Sequence, residues 1–310
     1  MTTAPIHRRM DATDWAILAV LSLMWGGSFF FLAIQLRALP PLTIVLSRVG
    51  LAALLLLGWA AATRLRLPGP RLWPAFLILG LLNNVIPFLL YGFAQQTIPS
   101  GLAGILNATT PLWGVLVAHL FTRDERATPA KVVGVLLGFA GVAAMTGADA
   151  LGGLGGDLLA QLACLLATLC YALAAVWARR FGDAGVPPLG VATGQLTAAT
   201  VVMIPLVVIV DRPWTLPMPG AEIWAATAGM VLVSTVFAYV LYFRLVERAG
   251  ASNSLLVTFT IPIVAIWLGV TVLGEALLPK HLLGMALIAL GLAAIDGRPW
   301  ARLRRGRAAA

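Results

Sequence analysis

Apolar residues in this chain occur in long uninterrupted blocks, and short polar segments separate one block from the next. A helix needs about 20 apolar residues to cross a membrane, because the hydrocarbon core is ~30 Å thick and a helix rises ~1.5 Å per residue. The pattern therefore predicts ten membrane-spanning helices. They cover residues 15–36, 41–62, 72–94, 99–121, 130–145, 157–179, 188–210, 223–245, 251–273 and 281–295.

The segment 99–147 occurs a second time, beginning at Gly250. Aligned on this repeat, the pairs are Asn107 with Thr258, Thr109 with Thr260, Pro111 with Pro262, Gly114 with Ala265, Glu125 with Glu275, Gly134 with Gly284, and Gly141 with Gly291. An internal repeat decides the architecture before any single motif does. It predicts two homologous halves, residues 15–145 and 157–295, which are joined by a glycine-rich linker, 147–156, and followed by a basic tail, 297–310.

Five spans in each half is an odd number, so the second half must enter the membrane from the opposite side. The sequence therefore predicts an all-α polytopic membrane protein with ten transmembrane helices in two inverted five-helix repeats. Inverted repeats typically hold a substrate site near the bilayer midplane and work by alternating access around it. A duplicated scaffold without transport is the structural alternative.

Charge supports this class and sets an orientation. The chain is 60% hydrophobic and 11% charged, with a net charge of +9, whereas soluble domains are about 25% charged. With a cytoplasmic N-terminus, only Arg37, Arg212 and Lys280 fall in external loops. The cytoplasmic loops and tail would hold Arg8, Arg9, Arg64, Arg66, Arg71, Arg123, Arg126, Lys131, Arg179, Arg180, Arg244, Arg248, Arg298, Arg302, Arg304, Arg305 and Arg307. The positive-inside rule then predicts cytoplasmic N- and C-termini.

Other classes of protein fit the sequence poorly. The basic residues are scattered over short loops, so they do not form a nucleic-acid-binding face, and the basic tail is expected to meet anionic lipid headgroups. Cys164 and Cys170 lie on different faces of one predicted helix, which excludes a disulfide between them. No catalytic motif or metal-ligand spacing lies in a span, so neither enzyme activity nor a cofactor is expected. The sequence carries no signal for oligomeric state.

Several motifs match a known family. They are Trp25-Gly26-Gly27-Ser28-Phe29, Pro41 followed by Arg48, the prolines Pro111 and Pro262, Gly274-Glu275, and the glycines of the fifth and tenth spans. In these the chain resembles the EamA family of the drug/metabolite transporter superfamily, and among its members the YddG-type amino-acid exporters. The resemblance implies a carrier in the cell inner membrane that exports small metabolites, with aromatic or neutral amino acids as the expected substrates.

Two other transport functions stay open on the sequence. The same superfamily contains multidrug or cation efflux proteins and transporters of sugars or nucleotide-sugars. Cation efflux calls for a carboxylate within the membrane, but all 12 Asp and Glu residues lie in loops or near span ends. This distribution favours a neutral or zwitterionic substrate. It also predicts a facilitator or exchanger, since proton-driven carriers usually hold a titratable group in the membrane.

Polar and aromatic residues deep within the spans are the candidate substrate-binding residues. Buried amides need a partner, and most Trp and Tyr residues of membrane proteins lie at the interfaces, so deep ones mark a cavity. The predicted set is Trp25, Asn83, Asn84, Tyr91, Asn107, Tyr171, Tyr239, Tyr242 and Thr258.

A second set is predicted to have structural or gating roles, and it comprises Arg48, Pro87, Pro111, Pro262 and Glu275. Each proline removes a backbone hydrogen bond and favours a kink. Arg48 lies roughly 10 Å inside its span, counted at ~1.5 Å per residue. One interpretation is that it reaches outward to water or to Glu275. The other is that it contacts a carboxylate of the substrate.

Overall fold

The computed structural model describes residues 10–65, 68–122, 126–146, 156–254 and 256–296. We number the helices α1 to α10 by membrane span. They are α1 Ala12–Gln35, α2 Pro41–Ala62, α3 Pro70–Ala94, α4 Ser100–Phe121, α5 Pro129–Thr146, α6 Gly156–Asp183, α7 Pro188–Ile209, α8 Ala221–Ala249, α9 Val257–Thr271 and α10 Pro279–Asp296. A short helix, Ala251–Ser254, precedes α9.

The predicted all-helical membrane architecture is confirmed. In the described residues, nine helices are long and apolar enough to cross a membrane, and α9 is a shorter apolar helix of 15 residues. Leu54, Leu120, Leu136 and Ile209 illustrate the large apolar side chains that the helices leave exposed, as a lipid-facing surface requires. The linker 147–155, the tail 297–310, Glu125, and the basic residues Arg8, Arg9, Arg66 and Arg123 lie outside the described residues.

Consecutive helices run in opposite directions, so the bundle has two ends. We call the one where α1 begins the N-terminal end, and the one that carries the α9–α10 loop the Glu275 end. Each helix packs mainly against helices of the other repeat. α1 lies on α8 and α9, α6 lies on α3 and α4, α2 pairs with α7, and α5 pairs with α10. The two repeats therefore interlock and do not form separate lobes.

Glycine explains how closely α5 approaches α10. A Cβ added to Gly134 would lie 2.5 Å from the carbonyl oxygen of Gly291, and one added to Gly141 would lie 2.7 Å from that of Gly284. Lipid tails are as apolar as leucine, so membrane helices associate through close packing of small residues. The repeated glycines of the fifth and tenth spans thus hold the two repeats together along this pair.

Two helices contain a π-helical segment at matching places in the repeats. Leu81–Val85 widens α3, and Gly229–Phe237 widens α8. Thr235 Oγ1 donates to the carbonyl of Met230 at 2.9 Å within the second segment. Pro87 follows the first segment, where its missing N–H already prevents a regular ladder. Such bulges are rare and occur often at functional sites.

α4 is also interrupted, between Asn107 and Thr110, and Pro111 lies in the first turn of its second half. The sequence predicted one continuous run there. The break turns the backbone just where the polar residue Asn107 lies, and it places that side chain at the centre of the bundle.

Candidate functional site

A cavity of about 490 Å³ lies between the two repeats, within the size range of small-molecule sites. Its walls come from α1, α2, α3, α4, α6, α7, α8 and α9. Eight of the nine predicted substrate-binding residues line it, namely Trp25, Asn83, Tyr91, Asn107, Tyr171, Tyr239, Tyr242 and Thr258. Helices from both repeats therefore bring together residues that are far apart in the sequence.

One wall is a chain of neutral hydrogen bonds. The Asn83 amide nitrogen donates to Gln195 Oε1 at 2.9 Å, and Gln195 Nε2 donates to the Tyr239 hydroxyl oxygen at 3.2 Å. Sequence reasoning missed Gln195, although a lone amide within the apolar run of the seventh span was an available signal. This series of hydrogen bonds connects the π-helical part of α3 to α7 and α8.

The opposite wall is aromatic. Tyr91 donates its hydroxyl hydrogen to Asn107 Oδ1 at 2.9 Å, and its ring lies edge-on to Phe29 with centroids 5.3 Å apart. The rings of Trp25 and Tyr242 lie 5.2 Å apart. These groups combine apolar ring faces with a few fixed hydrogen-bonding atoms, which suits a small amphiphilic ligand.

Arg48 also lines the cavity. Its Nε donates to Thr235 Oγ1 at 3.2 Å, and its guanidinium carbon lies 3.7 Å above the centre of the Phe88 ring. In this structure the Glu275 carboxylate binds Ser100 and Gly101, and Arg48 binds Thr235 instead of it. Among the described residues that line the cavity, Arg48 alone is charged.

Glu275 closes the first turn of α4. Its carboxylate accepts hydrogen bonds from the Ser100 N–H at 2.8 Å, the Ser100 hydroxyl at 2.9 Å and the Gly101 N–H at 3.0 Å. A carboxylate at a helix N-terminus satisfies orphan donors and complements the helix dipole. This contact joins the second repeat to the first at the Glu275 end.

Two more polar contacts link the repeats at the same end. Gln35 Nε2 donates to Thr227 Oγ1 at 2.9 Å. Asp211 Oδ2 accepts from the backbone N–H and the hydroxyl of Thr43, at 2.8 and 2.7 Å. Together with the Glu275 contacts, they connect the two repeats at this end of the cavity.

The cavity is more accessible from the N-terminal end. Lining residues toward the Glu275 end are buried, with Leu32 6% and Ile44 1% exposed. Lining residues toward the N-terminal end, such as Ala178, Val191 and Phe243, are partly exposed. The outermost lining residues toward the Glu275 end are thus buried, whereas several lining residues toward the N-terminal end are partly exposed.

At the N-terminal end, α1 and α8 are held by an ion-pair cluster. Arg248 Nε donates to buried Asp14 at 2.7 Å, and its Nη2 donates to Asp11 at 2.9 Å. The hydrogen bond from the Asp14 backbone, together with the nearby Arg248 charge, holds the pKa of the Asp11 carboxyl below its ordinary value. This cluster fixes the start of α1 against the end of α8.

The remaining predicted residues lie off the cavity lining. Asn84 is fully buried, and neither of its amide atoms has a hydrogen-bond partner within the described part of the chain. Pro87 and Pro111 follow the irregular segments of α3 and α4, and Pro262 lies inside α9 beside Gly104. These three prolines shape helices whose neighbouring turns carry lining residues.

With this geometry in place, comparison with known proteins decides the family. Residues 14–147 and 158–295 each match the EamA-like transporter family. The chain belongs to that family. It is a membrane transporter built from two EamA repeats, and the cavity lies between them.

Two relatives span nearly the same length. An uncharacterized inner membrane transporter of Escherichia coli K12, YedA, is 26% identical over 87% of this chain and 86% of its own. A probable terminal-alkyne amino-acid exporter of Streptantibioticus cattleyicolor is 26% identical over 96% of this chain and 97% of its own. A crystal structure of a protein with 23% identity superposes with a TM-score of 0.64 over 94% of this chain and 99% of that one, which supports the fold.

Proposed function

We propose that the protein exports small metabolites, specifically aromatic or neutral amino acids, across the cell inner membrane. The observation that carries the proposal is the cavity, whose walls combine aromatic rings, amides and hydroxyls around one cationic group. The S. cattleyicolor relative, named as a probable amino-acid exporter, matches over nearly its whole length and supports the same substrate class.

The absence of an acidic side chain from the described cavity lining favours this class over lipophilic cations. A cation-efflux site would need a carboxylate or another strong acceptor to replace water around the charge. The aromatic pairs can instead hold the apolar part of an amino acid, with the amides and Arg48 available to its polar end.

The orientation that goes with export has both termini in the cytoplasm, as the distribution of basic residues favours. The N-terminal end then faces the cytoplasm, and the Glu275 end faces outward. Transport proceeds by alternating access, with the Glu275 end opening after the N-terminal end closes. Because the repeats interlock, the motion would rearrange helices at the interface between the two repeats.

The residues that line the cavity also favour transport of the substrate down its own gradient. Asp, Glu and His are absent from the described lining residues, so the cavity itself offers no proton-exchanging group. Substrate accumulated by metabolism would then drive export without an ion gradient.

The decisive experiment is transport by reconstituted liposomes across a panel of amino acids, sugars and lipophilic cations. Uptake of, or competition by, an aromatic or neutral amino acid is expected. Transport restricted to cations or sugars would overturn the proposal. A second assay imposes a pH or sodium gradient with equal substrate on both sides, and net accumulation that collapses with that gradient would exclude the facilitator mechanism.

A further inference from the structure

Arg48 carries a charge that its protein neighbours do not balance. Its described partners are the Thr235 hydroxyl and the Phe88 ring, both neutral. The described ion pairs of the chain join Arg248 to Asp11 and Asp14, and Glu275 is bound to α4. A cation in a low-dielectric site is costly unless water or an anion offsets it.

A purely structural role does not require that charge. Arg48 joins α2 to the π-helical part of α8 through Thr235, and Gln195 joins α7 to the π-helical part of α3 through Asn83. The second joint is made by two neutral amides at 2.9 Å, which is a shorter contact than the 3.2 Å of the first. The second joint thus shows that a helix connection of this kind needs no charge, so a connecting role alone does not account for a guanidinium.

Arg48 lines the cavity and keeps hydrogen-bond donors that no described residue uses. Nε is used by Thr235, and neither Nη nitrogen has a hydrogen-bond partner within the described part of the chain. Arginine presents parallel N–H donors that match the two oxygens of a carboxylate. The Phe88 ring below the guanidinium limits its rotation and holds that fork in one plane.

We propose that Arg48 binds the carboxylate of the transported molecule and makes this group the main determinant of specificity. The inference rests on the proposed transport of amino acids and goes beyond it. The cavity should accept small carboxylates whether or not they carry an amino group, and it should reject the corresponding amides, which keep the amino group but lack the anion.

Three probes of nearly equal size test this on the purified, reconstituted protein. They are L-phenylalanine, 3-phenylpropanoate, which lacks the amino group, and L-phenylalaninamide, which lacks the carboxylate. L-Leucine and L-leucinamide repeat the comparison with a smaller side chain. We expect the carboxylates to bind and compete with one another, and each amide to bind about 10- to 100-fold more weakly, since a charge-assisted hydrogen bond is lost.

Variants assign the effect to the residue. Arg48→Gln should bind each acid about as weakly as its amide, so the preference disappears. Arg48→Lys keeps the charge without the planar fork, and it should retain the preference with an affinity several-fold lower. Thr235→Val removes the neutral partner and should keep the acid-to-amide ratio, because the charge remains. Thermal unfolding of each variant in detergent checks that the fold persists.

The outcomes separate this inference from the proposed function. If the wild type transports phenylalanine or leucine but binds acid and amide equally, or if Arg48→Gln keeps the preference, the role of Arg48 is overturned and amino-acid transport stands. If neither amino acid binds or moves while sugars or cations do, the proposed function itself fails.

Discussion

The two halves of α4 differ in how they meet α9. In the half nearer the Glu275 end, a Cβ added to Gly104 would lie 2.5 Å from the Cβ of Ala265, so the helices are in tight contact. In the other half, a Cβ added to Gly114 would meet nothing within 4 Å. Thr110 of this half and Thr258 of α9 both line the cavity. α4 and α9 thus converge at one end and diverge at the other.

The repeat explains what this difference means. Gly114 is the counterpart of Ala265, and the counterpart of Gly104 is residue 255. If the two repeats exchanged conformations, α9 would approach Gly114, while Gly104 would separate from Ala265. Under the alternating access proposed above, the open space at Gly114 would become a helix-packing site in the alternative conformation, equivalent to the present contact of Gly104 with Ala265.

The largest effect is expected from Gly104→Leu. The added side chain would overlap Ala265, and overpacking of this kind costs ~1–3 kcal/mol. The closed arrangement should become about 10- to 100-fold less populated relative to the open one. The reporter is Leu32→Cys in a Cys164→Ala/Cys170→Ala background, labelled by a membrane-impermeant maleimide from the Glu275 side. Gly58→Leu, where nothing lies within 4 Å, is the matched control. Unchanged labelling in a folded Gly104→Leu protein would contradict the comparison.

A smaller effect, about tenfold, is expected from Glu275→Gln. The amide keeps one acceptor oxygen and loses the negative charge at the start of α4, and a hydrogen bond to a charged group contributes ~1.5–3 kcal/mol. The same labelling should accelerate. Glu222→Gln, an exposed carboxylate at the same end, should leave the rate at the wild-type value. Equal rates in both variants would show that Glu275 does not hold this end closed.

Thr227→Val should have a weaker effect, about fivefold, on the same reporter. The valine is nearly isosteric but removes the neutral hydrogen bond from Gln35, which contributes ~1 kcal/mol. The exposed Thr215, whose hydroxyl bonds only within its own loop segment among the described contacts, provides the control Thr215→Val. If Thr227→Val labelled faster than Glu275→Gln, the order of the sealing contacts would be reversed.

Gly114→Leu should leave this conformation unchanged, because the leucine enters open space. Thermal stability and labelling at position 32 are expected to match the wild type. Transport should nevertheless slow, since the proposed alternative conformation needs that space for the approach of α9. If the Gly114→Leu variant transported substrate at the wild-type rate, Gly114 would not be a packing site in the alternative conformation.

Most of the predicted substrate-binding residues could be recognised from the sequence as candidates for a cavity lining. Deep aromatic and amide residues such as Trp25, Tyr171 and Asn107 were predicted to line a cavity, and the structure brings them to one. Asn84 was placed in the same set but lies off the lining, because adjacent residues of a helix point in different directions and Asn83 is the one on the cavity side. The π-helical segment that contains both residues has no simple sequence signature, so the choice between adjacent asparagines could not be made beforehand.

Local sequence determined the spans and their inverted repetition, since both depend on runs of apolar residues and on recurring motifs that can be read along the chain. Tertiary structure decided which polar faces meet. Gln195 reaches Asn83, Glu275 reaches Ser100, and Arg48 reaches Thr235, each across more than 100 residues of chain. Hydrophobicity cannot specify these pairs, because it places every helix in the same lipid. The neighbours of each helix are selected instead by close packing and by buried hydrogen bonds.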